Sequence, residues 1–375
     1  MTITQKLYIL LCGPRLLNYT IPIVMAYLIT GTIAQKYIGL YQATHIFFAA
    51  PIVWIGEAIP LPGMPVFLGI IFINIAFKLL FQSPWTIKNS GVILTHISAL
   101  FLLLGGLFTA LFSSEGYIAL SKTESKSIIS DYHMREFVIM DEQGKPLETF
   151  NHKEISANSA LYIDKSLPFS IDVYEACHNC KIVARDADTK TENHIGMAQH
   201  MQLEVAPPKK NNEENMAGLV YKVTYDNTHK IFVSLEDVPR YPEILVNGQT
   251  YKFALRRQHR ILPFSITLLD FKKEIYPGTE MAKSYQSTVL IKDGDMQWES
   301  VISMNEPLRY KGYTFFQSSF INTPQGDVSV LAAVWNVGRS FPYISGLTMC
   351  IGLIIHLFMR GRSPKKNKNR KGENA

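Results

Sequence analysis

Residues 91–112 read GVILTHISALFLLLGGLFTALF, with no Asp, Glu, Lys or Arg and with His96 as the one titratable side chain. A helix must offer roughly 20 apolar residues to cross a hydrocarbon core of about 30 Å, so this stretch predicts a transmembrane span. Polar groups in hydrocarbon are costly unless satisfied, which makes an intramembrane histidine a functional-site hypothesis by default. Five residues inside the span, His96 sits about 7.5 Å deep at 1.5 Å per residue. A neutral imidazole at that depth can bond a neighbouring helix, relay protons, or ligate a metal or haem iron.

Working outward, three more runs meet the same length requirement: residues 16–34, 64–81 and 340–359. The first is long enough to stay in the bilayer as a retained span rather than a cleaved signal peptide. Between the first two lies a segment, 37–63, whose short apolar run at 46–55 is followed by Glu57, Pro60, Pro62 and Gly63. It reads as an interfacial or re-entrant piece. Four spans place Lys6, Arg15, Lys88 and the tail Arg360, Arg362, Lys365, Lys366, Lys368, Arg370 and Lys371 on one side. The positive-inside rule makes that side cytoplasmic. The net charge of +6 is thus explained by a basic cytoplasmic tail at 360–375, and nucleic acid is not an expected partner.

The fold class that follows is a membrane protein with an N-terminal part at 1–112, four transmembrane helices, and a large extracytoplasmic domain at 113–339 between helices three and four. Period-two, β-branched and aromatic stretches at 170–174, 220–225, 231–234, 251–255, 265–269, 288–291, 312–317 and 328–334 predict that this domain is mostly β. Leu-Pro-Phe-Ser-Ile occurs at both 167–171 and 262–266, which is either a trace of two related sheet halves or chance. Residues 207–215, PPKKNNEEN, predict an exposed loop between the halves.

Other candidates for chemistry are few. His356 lies near the cytoplasmic end of the last span at a depth comparable to His96, and can be a second ligand or an interfacial residue. His45, with Tyr41 and Trp54 close in sequence, can belong to an outer aromatic belt or to an outward-facing haem site. Cys177-His-Asn-Cys180 allows a disulfide or a redox pair in an oxidising compartment, and is no c-type haem attachment site because Lys181 follows it. Zinc would require two further ligands, for which His194 and His200 are available. Cys12 and Cys350 have no evident partner. No P-loop, nucleophile elbow, zincin or dinucleotide fingerprint is present, so self-contained catalysis is not expected.

Two segments resemble a known family: Leu262-Pro-Phe-Ser-Ile-Thr-Leu-Leu-Asp-Phe with Glu274-Ile-Tyr-Pro-Gly, and Asn305-Glu-Pro-Leu-Arg-Tyr-Lys-Gly-Tyr-Thr-Phe-Phe-Gln-Ser-Ser-Phe. Together with the layout of spans, and a last span introduced by Trp335-Asn-Val-Gly-Arg-Ser-Phe-Pro-Tyr, they are similar to the ResB-like proteins of system II cytochrome c maturation. The resemblance implies a multi-pass inner-membrane subunit, without catalysis of its own, of a haem export and attachment complex. With a CcsA-type partner it would carry haem as cargo to apocytochrome c, a thioredoxin-like thiol reductant being a further partner. It also implies that His96 is an axial ligand to haem in transit. Trp54, Trp85, Trp298 and Trp335 are isolated, with no Trp-Trp-Asp haem-handling motif, so the chain reads as the ResB half alone. Two alternatives stand beside this reading: a membrane thiol oxidoreductase using Cys177 and Cys180, and a b-type haem electron carrier using His96 and His356.

Overall fold

The computed structural model describes residues 2–55, 58–185, 191–236, 238, 240–279 and 282–361; Glu57 and the basic tail beyond residue 361 lie outside the described residues. The chain forms two compact units, Met1–Ser113 with Asn336–Ala375, and Ser114–Trp335.

The first unit contains helices α1 (Ile3–Cys12), α2 (Pro14–Ile38), α3 (Leu40–Ala43), α4 (Met64–Phe77), α5 (Ser90–Phe112) and α6 (Phe341–Gly361). Four stretches among the described residues are long and apolar enough to cross a membrane: Pro14–Ile38, Met64–Gln82, Ile87–Phe112 and Val337–Arg360. The segment after α2 folds back along it. Gly39, at φ 85°, turns the chain, α3 and the wide turn Thr44–Ala49 run backwards, and Phe47 and Phe48 pack on Gly31 of α2. An antiparallel hairpin follows, β1 (Ile52–Ile55) with β2 (Ile59–Pro62). Tyr27 Oη donates to the Pro62 carbonyl at 2.7 Å, so the chain has returned about 16 Å down α2 by the time α4 begins. The 37–63 segment is therefore a helical turn and hairpin pressed against α2.

α1 and α2 are separated by Gly13, whose extended backbone (φ −81°, ψ 149°) interrupts the helix. In hydrocarbon such a break must be satisfied within the protein. Asn74 of α4 does this: its amide nitrogen donates to the carbonyls of Leu11 at 2.6 Å and Gly13 at 3.0 Å, and the side chain is buried.

The second unit is mostly β. Its main sheet runs in the order β15 (Met296–Ser303), β14 (Ala282–Asp293), β13 (Gln249–Ile275), β4 (Ser125–Met140), β3 (Ser114–Leu120), β18 (Gly326–Trp335), β17 (Tyr313–Thr323), β16 (Leu308–Tyr310). β12 (Glu243–Val246) pairs with β13, and β5 (Pro146–Asn151) with β4. A four-stranded sheet is ordered β11 (Thr228–Leu235), β10 (Gly218–Tyr225), β7 (Ser170–Cys177), β6 (Ser159–Leu161), and β8 (Cys180–Ala184) pairs with β9 (Met201–Val205).

Two cores result. One gathers Phe137, Ile139, Phe169, Ile171, Tyr221, Phe232 and Phe253; the other gathers Ile118, Ile129, Leu262, Phe264, Ile266, Phe315 and Leu331. β4 and β13 run through both. The repeated Leu-Pro-Phe-Ser-Ile delivers Phe169 and Ile171 to the first core and Phe264 and Ile266 to the second. The predicted strands 251–255 and 265–269 are one strand. Pro263, which reads as a breaker, sits in the register shift between Ile261 and Ile266 where β13 leaves β4, and there its missing N–H is tolerated.

Residues 207–215 form an exposed loop as expected, except that Asn212 and Asn215 are buried. Their carbonyls accept from Arg135 Nη2 at 3.2 and 2.8 Å, while Arg135 Nε meets Glu236 at 2.9 Å. Arg257 Nε meets the other oxygen of Glu236 at 3.1 Å, and Arg257 Nη2 donates to the Glu213 carbonyl at 2.7 Å. A buried charge needs partners, and this loop supplies backbone carbonyls to both guanidinium groups, while the contact of Arg257 Nε with Glu236 Oε1 is an ion pair without hydrogen-bond geometry. Replacing Arg135 by Ala strands the carboxylate of Glu236, 1 % exposed. Denaturant unfolding is expected to show a loss of about 3–5 kcal/mol, with the Arg135/Glu236 double variant losing less than the sum of the singles.

Candidate functional site

α5 and α6 are antiparallel partners joined through small residues. A Cβ on Gly352 would meet Thr95 Oγ1, one on Gly91 would meet the His356 backbone, one on Gly105 would meet Phe341, and one on Gly338 would meet Thr109. Such residues let membrane helices approach closely enough for dispersion and hydrogen bonds to hold them. Ser98 Oγ donates to Thr348 Oγ1 at 2.8 Å, and Thr109 Oγ1 to Asn336 Oδ1 at 3.1 Å. Phe101 and Phe341 stack with centroids 4.4 Å apart.

His96 is next to Thr95 in sequence and therefore about 100° around the helix from it, off the seam. Its Nδ1 lies 2.7 Å from the Val92 carbonyl of its own helix. A carbonyl only accepts, so Nδ1 carries the proton and Nε2 holds the lone pair. That is the tautomer in which a metal-binding imidazole has its other nitrogen fixed by a backbone acceptor. The interhelical hydrogen bond that would make His96 a packing residue is absent among the described residues; Ser98 and Thr348 fill that role.

The other sequence candidates make no hydrogen bond or ring contact with His96 among the described residues. His356 is half-buried, with its backbone against Gly91. His45 is exposed and stacks on Tyr41 at 6.2 Å between centroids. A cavity of about 410 Å³ at this end of the helix pair is lined by Trp85, Ile93, Leu94, Ile97 and Ile355, without His96. Asn74 escaped the sequence reading, since one amide in an apolar run carries no pattern.

In the β unit Cys177 and Cys180 form a disulfide, both buried, closing the corner between β7 and β8 over Gly218, where a Cβ would strike Cys180 Sγ at 2.7 Å. Cys12 is buried and Cys350 exposed, both free. His194 and His200 do not join the pair, and no His, Cys, Asp or Glu group among the described residues could hold a metal ion.

The Tyr310-Lys-Gly-Tyr313 motif builds a hairpin. Lys311 and Gly312 have φ of 44° and 83°, the two left-handed residues of a tight β16–β17 turn. Trp335 lies where a Gly312 Cβ would project. Tyr310 Oη donates to Asp293 at 2.5 Å, and Lys311 pairs with the same carboxylate, holding it below the usual carboxylate range. Gln317 reaches Ser287 at 2.6 Å and Ser329 at 3.2 Å in a buried polar cluster linking β14, β17 and β18.

Burial lowers the pKa of His133, His152 and His259, the last to about 4. Arg256 beside His259 adds to the effect. With a folded pKa below the unfolded value of about 6.5, the unfolded state binds the extra proton first, so stability falls as pH drops from about 6.5 toward about 4. Urea midpoints measured across that window should fall for the native chain and fall less steeply for His259→Asn.

Residues 242–342, from the start of β12 into α6, match the model of the ResB-like family. The chain is 26 % identical over 266 residues to Protein NrfI of Wolinella succinogenes, an alignment covering 70 % of this chain and 27 % of that protein. The chain thus spans about a quarter of the length of this curated relative. The matched segment holds the hairpin, the Gln317 cluster and the register shift at Pro263, so this part of a chain that also carries four apolar helices is similar to the ResB-like family.

Proposed function

We propose that this chain is an inner-membrane subunit of cytochrome c biogenesis that carries haem through the bilayer with a CcsA-type partner and presents it to apocytochrome c. The observation that carries the reading is the state of His96. It is the one titratable side chain of an uncharged span, its Nδ1–H is bonded to Val92 O, and its Nε2 lone pair is unshared. An imidazole fixed in that way binds iron reversibly, as cargo requires, and the second axial position stays available to a partner helix. The ResB-like segment supports the pathway. Both termini would be cytoplasmic and the β unit extracytoplasmic, following the positive-inside pattern of Lys88 and Arg360.

The thiol-oxidoreductase alternative is disfavoured by the burial of both sulfurs, because exchange requires a thiolate to reach a disulfide sulfur.

Two outcomes follow. His96→Ala should abolish c-type cytochrome formation while leaving normal amounts of inserted protein, and external imidazole should restore part of it; normal cytochrome c in the alanine variant would exclude the reading. Replacing Cys177 and Cys180 together by Ser should lower cytochrome c yield less than about threefold, as expected for loss of a local cross-link. A null phenotype that survives added thiol reductant would reverse that ranking.

A further inference from the structure

Side-chain amides hold down the loop at 207–216, and one backbone donor fixes the direction of their hydrogen bonds. The N–H of Lys209 can only donate, and it meets Asn215 Oδ1 at 2.8 Å. Asn215 therefore turns its amide nitrogen toward Asn212 Oδ1, at 3.4 Å. His178, between the two cysteines of the β7–β8 corner, brings Nε2 to 3.0 Å from the same oxygen. An amide oxygen only accepts, so His178 Nε2 carries a proton; Asn215 Nδ2 is farther from that nitrogen, at 3.5 Å. The nitrogen of Asn212 is left to face His133 Nδ1 at 3.0 Å. Because an amide nitrogen only donates, His133 Nδ1 must supply a lone pair.

The two histidines are thereby unequal. A second proton on His178 enters at Nδ1 and leaves its bond to Asn212 in place. A second proton on His133 sets an N–H against an N–H. Asn212 cannot turn over to accept it, because its oxygen already serves His178 and Asn215, and both asparagines are buried. The two ends of the loop are anchored without histidine. Asn179 donates to the Pro207 carbonyl at 2.7 Å and accepts from the Met216 N–H at 3.2 Å, so these points bracket the segment that His133 controls.

The charges acting on His133 are Asp131 and Arg135 of β4, Glu213 of the loop, 3.7 Å from Nε2, and Lys153 beyond β5. His152 faces His178, Arg135 and Glu236. Beneath the loop, the carbonyls of Asn212 and Asn215 serve Arg135 and that of Glu213 serves Arg257, while the Ala217 N–H meets Glu236 at 3.2 Å. A loop freed at Asn212 no longer covers these groups.

We propose that residues 208–215 are a proton-operated latch over the Arg135–Glu236–Arg257 cluster, shut while His133 Nδ1 keeps its lone pair and released when that nitrogen is protonated. Neither the latch nor its test depends on haem. Burial holds the pKa of His133 below the ordinary histidine value against the pull of Glu213 and Asp131, with Arg135 and Lys153 adding to the lowering. With the loop open, the imidazole titrates near about 6.5. The closed form is therefore favoured in full above that pH. Below it, opening grows by up to about tenfold for each pH unit, until the closed histidine itself protonates.

Hydrogen exchange of the full chain in detergent micelles, read by mass spectrometry and corrected for the intrinsic rate at each pH, measures the opening. Between about pH 7.5 and about pH 5.5 the protection of 208–215 should fall by about tenfold, while residues 137–140 of β4 stay unexchanged on the same timescale. His133→Asn places a carboxamide oxygen where the lone pair was and cannot titrate, so its loop should be protected equally at both ends of the range. His178→Gln keeps a donor to Asn212 and should keep the pH dependence. Protection of 208–215 in the native chain that does not change with pH overturns the proposal without reference to any variant. So does simultaneous exchange of the loop and β4, a pH dependence that survives His133→Asn, or one that vanishes in His178→Gln.

Discussion

The close approach of α5 and α6 is the contact on which the candidate site depends. Without a hydrophobic driving force between helices in lipid, two spans hold together only where their backbones come near. Gly91, Gly105, Gly338 and Gly352 provide that approach, and Ser98 with Thr348 locks the register. Because the seam takes Thr95 and Ser98, the neighbouring position at His96 is left on an adjacent face with its ring fixed by Val92 O.

In the β unit the equivalent constraint is continuity. β4 and β13 cross both cores, so the cores cannot be displaced without breaking the long pairing of these two strands. The charges that interrupt these strands are matched where they are buried: Arg256 Nε meets Glu136 at 2.9 Å and Arg260 meets Asp131 at 2.8 Å, alongside the Arg135–Glu236–Arg257 cluster. The residues by which the chain resembles the ResB-like proteins do structural work here. Tyr310 to Tyr313 make a hairpin, and Gln317 bridges strands.

The apolar helices were legible because length and absence of charge are sufficient for a span, and β7, β10, β11, β17 and β18 were legible by alternation. β4 was not, since Asp131, Arg135 and Glu136 give it the look of a solvated loop, and only the structure shows their partners. Pro263 hid the unity of β13 for the opposite reason, a true breaker placed at a register shift. His96 could be named from sequence because it is alone in its span, but its tautomer and its place off the seam required the geometry of Val92 and Thr348. Asn74 and the buried asparagines of 207–215 act through carbonyl acceptors that leave no trace in the pattern of side chains.

The claim that His96 Nε2 receives haem iron is tested most directly by pulsed electron paramagnetic resonance of ferric haem bound to the full chain with histidine nitrogen labelled isotopically. The account predicts a hyperfine coupling from one labelled imidazole that disappears in His96→Met. The same coupling persisting in that variant would contradict it.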